Sequence, residues 1–511
     1  MVTSRRNANL PQRAFQVAWP AGLALLFLAI MIFFYPFRQQ FEYSRDEGVN
    51  LMKAMMVAKG YSLYEQIWSD QPPFFTYWLA GAFELAGFKV NVARLVVLIL
   101  STLLVWMSVE FLRQAGGILH ALAGFIMLLL LPKYLELSVS VMVGLPSLAF
   151  ATASLAALAL WHRQRKTAWL AVSAVALGVS IMTKAFTGFL VPIFVLGITI
   201  DEFMLFRGKR AFQDMIKPAG LWLGIFVGFS AISGLILVGP SHLPQLVESH
   251  LNTAVIEAFQ IEKYTLAWNL REARPILLLA VVGAGFSIVG RRWLAIYPLA
   301  WMGTATLLLF RHIPVWYHQQ LLVTVPAALL AAMAVGESMH WIYRAVRSRR
   351  FSTVPAILSI ISLTTFAWVL MMEAPISYDQ FRTKPSFWET DLKLSDEKIE
   401  FLWLMIDYAP QTHWVVTDTP MYAFRARLPV PPNLAAFTSK RVNTGNLAEA
   451  ELLETMLAYQ PEQVMMGRFD FPELQAYLNA HYNLLLDQLD MRLYIRKDLY
   501  PNPLVRGDED S

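Results

Sequence analysis

Residues 313–336 read IPVWYHQQLLVTVPAALLAAMAVG, a run without a single Asp, Glu, Lys or Arg. A helix needs about 20 mostly apolar residues to cross the hydrocarbon core of a bilayer, so this stretch is long enough to span one. Just beyond it lie Arg344, Arg347, Arg349 and Arg350. Basic clusters of this kind mark the cytoplasmic ends of spans.

The same alternation of apolar run and short basic cluster recurs along the chain. It gives about eleven spans, centred near Leu26, Leu100, Phe125, Ala153, Val175, Phe194, Val227, Val281, Thr304, Ala328 and Ile361. Arg5, Arg6 and Arg13 precede the first; Arg163, Arg165 and Lys166 follow the fourth; Arg207, Lys209, Arg210 and Lys217 follow the sixth; Arg291 and Arg292 follow the eighth. All fall on one side, which places the N-terminus in the cytoplasm and the C-terminal region outside. The first span is too long for a signal core, and Tyr35-Pro36-Phe37-Arg38 offers no small-residue cleavage site, so it reads as a retained helix. Composition agrees. Only 15% of the 511 residues are charged, against about 25% in soluble chains, so much of the surface meets lipid. The net charge of +5 is dispersed in these loop clusters, which argues against a nucleic-acid surface. There is no cysteine, so disulfides and thiolate metal sites are excluded.

Two regions are not membrane: an outer loop at 38–90 and a tail. The expected domains are residues 1–374, a transmembrane domain carrying that loop, and 375–511, a soluble extracytoplasmic α/β domain that folds by itself. In the tail, Ile399 to Ile406 is apolar at helical spacing, and short apolar runs at Trp414–Val416, Val464–Met466 and Leu493–Ile495 read as strands. Asn446 and Glu449 have the spacing of a capping box.

Charged residues are costly inside a membrane, about 2.5–3.5 kcal/mol each at a helix centre, so their placement carries information. They gather at the outer ends of spans: Glu42, Arg45, Asp46, Glu47, Lys53, Lys59 and Asp70 in the first loop, then Lys133, Glu136, Lys184, Arg311 and His318. Each has a bland reading. Ser44 and Glu47 fit a capping box opening a helix that ends at Gly60, with Asp46 complementing its dipole. Lys184 can snorkel to the interface. Trp316 and Tyr317 can anchor an aromatic belt. His242, Glu248 and His250 are spaced too loosely to argue for a metal site.

Asp46-Glu47-Gly48, then Gly60-Tyr61-Ser62-Leu63-Tyr64, Ile67-Trp68-Ser69-Asp70-Gln71-Pro72-Pro73, Tyr77 and Ala93-Arg94-Leu95 follow one another in order. Together they resemble the polytopic GT-C glycosyltransferases of the protein-mannosyltransferase and aminoarabinose-transferase type, the bacterial family-39-like members. Thr183-Lys184 with Gly188, and Trp316-Tyr317-His318, resemble later features of that family. The resemblance covers roughly Leu26 to Ala332.

The resemblance implies an all-α membrane bundle of GT-C type with a C-terminal α/β domain. It implies an enzyme of the cytoplasmic membrane that moves a sugar from a polyprenyl-phosphate donor to an acceptor hydroxyl on the outer face. Asp46, with Glu47 beside it, would be the catalytic base, and Lys184 would hold the lipid phosphate. Arg45, Gln71, Arg311, Tyr317 and His318 would complete the binding set. A protein, a lipid or a polysaccharide would serve as acceptor. A lysine or arginine can neutralise the leaving phosphate, so a divalent metal is optional and no metal ligand is assigned. Two departures stand out: Gln71 replaces the lysine many relatives have before the paired prolines, and Val143-Gly144-Leu145 lacks their acidic residue, for which Glu136 is the nearest substitute. The alternative is a transporter or lipid-linked-sugar flippase, a class that places ionisable groups near the midplane of repeated halves. No such repeat is visible.

The Lys/Arg distribution predicts that reporters fused after Arg350 and after Ser511 give opposite readouts, cytoplasmic and external; finding both in the cytoplasm would overturn the odd number of spans.

Overall fold

The computed structural model describes residues 10–206, 212–246, 265–312, 314–348, 352–382 and 395–499. Helices occupy every expected span: α1 (Leu10–Phe34), α4 (Val90–Ala115), α5 (Ile118–Leu129), α7 (Gly144–Gln164), α8 (Thr167–Thr183), α9 (Leu190–Phe206) and α10 (Phe212–Leu237). After a single turn, α11 (Leu266–Asn269), come α12 (Arg274–Val289), α13 (Ile296–Phe310), α14 (Leu321–Ser348) and α15 (Thr353–Arg382). Seven spans are long and apolar enough to cross a bilayer, and four shorter apolar helices accompany them. The chain is a multi-span membrane protein. α14 is the central helix; its apolar stretch is 94% buried, so its neighbours rather than lipid surround it.

Successive spans run in opposite directions and sort the polar residues to two ends. At one end ion pairs staple loops together: Arg165 with Asp201 at 2.7 Å and with Glu202 at 2.9 Å, and Arg292 with Glu337 at 2.6 Å. The basic clusters of α4, α7 and α14 lie at this end. The other end carries Asp46, Lys184 and His318. Glu248 and His250 lie outside the described residues, and His242 stacks on Tyr64.

The outer loop folds into α2 (Arg45–Ala58) and α3 (Phe74–Ala86). Ser44 is the N-cap of α2, its hydroxyl accepting from Asp46 N. Gly60, at φ +97°, turns the chain after Lys59. Glu47 accepts from Tyr43 N at 3.0 Å, one residue before the partner a capping box requires.

The tail is a four-stranded sheet, β1 (Val415–Thr417), β2 (Gln463–Met466), β3 (Tyr482–Gln488) and β4 (Met491–Arg496), in the order β1-β2-β4-β3. Only β1 and β2 are parallel. Its helices are α16 (Asp396–Asp407), α17 (Pro420–Arg425), α18 (Ser439–Asn443), α19 (Glu449–Tyr459) and α20 (Pro472–His481). Asn446 does not cap α19, which starts from Ala448; Glu449 instead accepts from Glu473 N and Leu474 N at the start of α20.

Strand side chains alternate between faces, and here the faces serve different cores. Val416, Val464, Met466 and Tyr494 pack with Leu452, Met456, Leu474 and Leu478 of α19 and α20. Val415, Met465 and Leu493 face the other way. They join one continuous cluster with Phe401 and Met405 of α16, Met421 and Phe424 of α17, and Met52, Met55, Phe75 and Phe83 of α2 and α3. Two observations bear on the expected boundary at 374/375. It falls inside α15, and the tail shares half of its core with the outer loop.

The closest approach is at Gly48, where a Cβ would sit 2.6 Å from the backbone N of Met421. Only glycine lets α2 and α17 meet this closely. Gly48→Val should therefore pry the tail from the loop, at a cost of about 1–3 kcal/mol by overpacking. The readout is a lower melting temperature of the purified full chain, with faster proteolysis of the tail; an unchanged melt would contradict the shared core.

Candidate active site at the outer helix ends

The site is organised by Arg94 and Glu47, both fully buried and paired at 2.9 Å. Arg94 donates through Nε to Glu47 Oε1 and through Nη2 to Oε2, each at 2.9 Å. Its Nη1 donates to the carbonyls of Phe37 and Gln40 at 2.6 and 2.8 Å. Glu47 also accepts from Tyr43 N and, at 3.2 Å, from Val141 N. Asn50 adds a hydrogen bond to the Val141 carbonyl at 2.9 Å. The exit of α1, the start of α2, the first turns of α4 and the segment before α7 are thus fixed relative to each other. Glu47, weighed in the sequence as a catalytic carboxylate, has both oxygens engaged in this network and is walled off from solvent; the geometry gives it a structural part.

Asp46 has the opposite setting. Neighbouring residues on a helix point about 100° apart, so burying Glu47 turns Asp46 outward. Asp46 is accessible to solvent and makes no direct ion pair among the described residues. Protein nevertheless surrounds it at slightly longer range, because it sits in a recess rather than on a convex surface. Burial in that recess raises its pKa from the ordinary carboxylate value, against the pull of Arg468, Lys184 and Lys53, while Asp70 adds to the rise.

Lys184 forms the bundle side of the recess. It is the first non-helical residue after α8, in extended conformation, and a 3₁₀ turn, Ala185–Phe189, follows. Ser147, Ser180 and Thr187 hold that turn against α7 and α8; the Ser147 and Ser180 hydroxyls are 3.1 Å apart, and Ser180 Oγ donates to Thr187 Oγ1 at 2.9 Å. Gly144, which departs from the acidic residue of the relatives, leaves space here. A Cβ on it would stand 3.8 Å from both Lys184 Nζ and His318 Cδ2. Burial pushes Lys184 down to about 8, resisted by Asp46 and Asp70. Tyr317 and His318 arrive on a 3₁₀ turn, Tyr317–Gln320, pinned by Trp316 N donating to Gln319 Oε1 at 2.9 Å. His318 Nδ1 is a buried polar atom without a hydrogen-bond partner among the described residues, and Tyr317 interacts through its hydroxyl with the Ser44 side chain.

The structure thus brings Asp46, Lys184, Tyr317 and His318 to one recess. Arg45 stands exposed at its rim. Arg311 is also exposed, beside His312, whose ring packs edge-on against Phe186 at 5.2 Å. Gln71 acts through its backbone: its carbonyl accepts from Tyr64 Oη at 2.8 Å and from Ser69 Oγ at 3.2 Å. Among the described residues, no hydrogen bond or ion pair joins Arg311 or the Gln71 side chain to Asp46 or Lys184.

Four further charged residues, Lys53, Asp70, Lys440 and Arg468, belong to the recess, and a fifth, Asp418, supports them. Lys53 is buried on α2, with Ser69 Oγ at 3.5 Å, and burial lowers its pKa. Asp70 pairs with Lys440 of the tail at 2.6 Å. Next to Lys440, Ser439 Oγ accepts from Arg468 Nη2 at 2.7 Å. Asp418, buried at the end of β1, accepts from the backbone N of Gly467, Arg468 and Phe469 and so fixes the loop after β2 that carries Arg468. The tail residues lie hundreds of positions from Asp46, and no local motif announces them. Among the described residues, no group of three His, Cys, Asp or Glu is placed to hold a metal ion.

The bundle and tail together match solved structures over nearly their full length. ArnT from Cupriavidus metallidurans bound to undecaprenyl phosphate aligns with a TM-score of 0.57 at 14% identity, covering 95% of this chain and 98% of that one. This chain has the GT-C fold. The Archaeoglobus fulgidus oligosaccharyltransferase in its apo form aligns with a TM-score of 0.53 at 10% identity, over 89% of this chain and 70% of that one. The family model described as dolichyl-phosphate-mannose-protein mannosyltransferase matches residues 70–236, from Asp70 of the outer loop into α10. No curated protein sequence matches significantly. In this GT-C chain the matched span contains Lys184 and Gly144, while Asp46, His318 and the tail lie outside it.

A buried ion pair costs much to break, because removing one partner strands the other charge. Arg94→Met and Glu47→Gln should each lower stability by about 3–5 kcal/mol, whereas Arg94→Met with Glu47→Leu should be milder than either alone. Thermal melts of the purified variants in detergent check this, and single variants as stable as the parent would overturn the organising role of the pair.

Proposed function

We propose that this chain is a glycosyltransferase that moves a sugar from a polyprenyl-phosphate donor to an acceptor hydroxyl at the outer face of the cytoplasmic membrane. The observation that carries it is Asp46: an accessible carboxylate without an ion-pair partner, in a recess with Lys184 on its bundle side. The GT-C fold supports the reading, as does the family model, whose description names a lipid-phosphate sugar donor. The bound undecaprenyl phosphate of the Cupriavidus metallidurans neighbour points the same way.

In this reading the donor lies in the outer leaflet and the acceptor arrives from water. Asp46 takes the proton of the acceptor hydroxyl as its oxygen attacks the anomeric carbon. The bond from that carbon to the phosphate oxygen breaks, and its electron pair leaves with the polyprenyl phosphate. Negative charge grows on that oxygen, where the Lys184 ammonium stabilises it without reorganisation. In this reading His318, through a ring nitrogen with no protein partner among the described residues, and Tyr317 beside it orient the sugar or its phosphate. A transporter is less consistent with the structure, since the ionisable groups sit at helix ends rather than at a midplane site.

The protonation states give the test its sign. Asp46 must be ionised to act as base, and its pKa is raised, so activity should fall as pH drops through a value above the ordinary carboxylate range. Lys184 must be charged, so activity should fall again as pH rises through about 8. A bell-shaped kcat/KM profile follows. Asp46→Asn should reduce release of polyprenyl phosphate by about 10²–10⁴-fold with little loss of stability, and Lys184→Met should remove the alkaline limb. An active Asp46→Asn variant would sink the assignment of the base.

A further inference from the structure

The tail contributes two cations to the recess: Lys440 is paired with Asp70, and Arg468 is not directly paired among the described residues. Arg468 is half-buried and is held from three directions: its backbone N by Asp418 Oδ2 at 2.7 Å, its Nη2 by Ser439 Oγ at 2.7 Å and its Nη1 by the Asp418 carbonyl at 3.4 Å. Asp418, Asp46 and Glu42 attract the guanidinium at longer range, but among the described residues none forms a direct ion pair with it. The anchors themselves are fastened to the outer loop. Lys440, beside Ser439, pairs with Asp70. Met421, three residues after Asp418, abuts Gly48, two residues after Asp46. Arg425 donates to the Phe41 carbonyl at 2.5 Å. The docking of the tail therefore over-determines where Arg468 stands.

Its electrostatic surroundings locate it. Arg468 has the largest favourable charge interaction of any residue with Asp46, and the largest charge interaction on Arg468 itself is repulsion from Arg45. Arg45, next to Asp46 in the chain, and Arg468 thus stand close enough to repel each other, and neither has a carboxylate ion-pair partner among the described residues. Lys184 lies on the inner side. Like charges fixed this close raise the energy of the empty site and lower it when an anion bridges them. Guanidiniums suit phosphate best, through paired N–H donors.

We propose that Arg468 and Arg45 form a phosphoryl-binding clamp on the tail side of Asp46, so that the soluble domain supplies half of the substrate site. The inference rests on the glycosyltransferase reading for its occupant: the phosphoryl group belongs to the lipid-linked donor or to a phosphate-bearing acceptor.

Two measurements on the purified full chain in detergent separate the sources. The first compares the affinity for undecaprenyl phosphate with that for undecaprenol. The second follows the rise in melting temperature caused by inorganic phosphate while undecaprenyl phosphate is saturating. Arg468→Gln should cut the preference for the lipid phosphate by about tenfold or more, the weight of a charge-assisted hydrogen bond. Arg468→Lys should restore part of it. Arg45→Gln, at an exposed position that cannot harm the fold, should act in the same direction. If the lipid preference survives and only the response to inorganic phosphate is lost, the clamp serves an acceptor phosphate. If neither measurement responds to Arg45→Gln or to a folded Arg468→Gln, the clamp is overturned. A parent chain that binds undecaprenol as tightly as its phosphate refutes the donor reading instead, and the clamp then stands or falls on the inorganic-phosphate measurement.

Discussion

Two opposite charges with no access to water, Glu47 and Arg94, set the geometry on which the rest of this molecule depends. Removing such a pair from water costs several kcal/mol per ion, recovered only when every donor and acceptor is satisfied. Here the requirement is met by backbone groups from separate segments: Phe37 and Gln40 after α1, Tyr43 before α2, and Val141 before α7. Because a half-satisfied pair would be worse than none, the segments can meet in only one arrangement. The loop that carries Asp46 is thereby fixed to the helix tops that carry Lys184 and His318.

The same pair divides labour between adjacent carboxylates. Asp46 and Glu47 differ by one methylene and one position, and in sequence each could be base or cap. The helix turns one inward and the other outward. Both oxygens of Glu47 are engaged by Arg94, Tyr43 N and Val141 N. Asp46 becomes a carboxylate whose nearby cations are arranged around it without direct pairing. A base needs that second environment, in which burial raises proton affinity while surrounding cations keep the ionised form accessible.

The tail belongs to this design. Its sheet has two apolar faces, one closed by its own helices and the other by α16 and α17 together with the outer loop. Sharing a core in this way makes docking of the tail as cooperative as folding of the loop. Lys440 and Arg468 are consequently held against Asp70 and beside Asp46 with the precision of an interior. The parallel pair β1 and β2 ends at Asp418 and at the loop beginning with Gly467, and both strand ends face the recess.

The sequence by itself determined the membrane class and all eleven helices of the bundle, because length and apolarity are local properties and the bilayer imposes a fixed thickness. It determined three of the four tail strands and the helix that Ser44 opens, since apolar runs and caps are also local. β3 escaped notice: it is an edge strand, and the register shift between Leu484 and Leu486 breaks its alternation. Asp46, Lys184 and His318 were legible as candidates because a charge at the end of a span is conspicuous. Only the tertiary structure decided which of them meet, that Glu47 is locked by Arg94, that Gln71 works through its backbone, and that Arg311 stays at the rim. Only it could bring Arg468 and Lys440 to the same recess. Electrostatic partnership depends on distance in space, and no spacing along the chain encodes a contact between residues hundreds of positions apart.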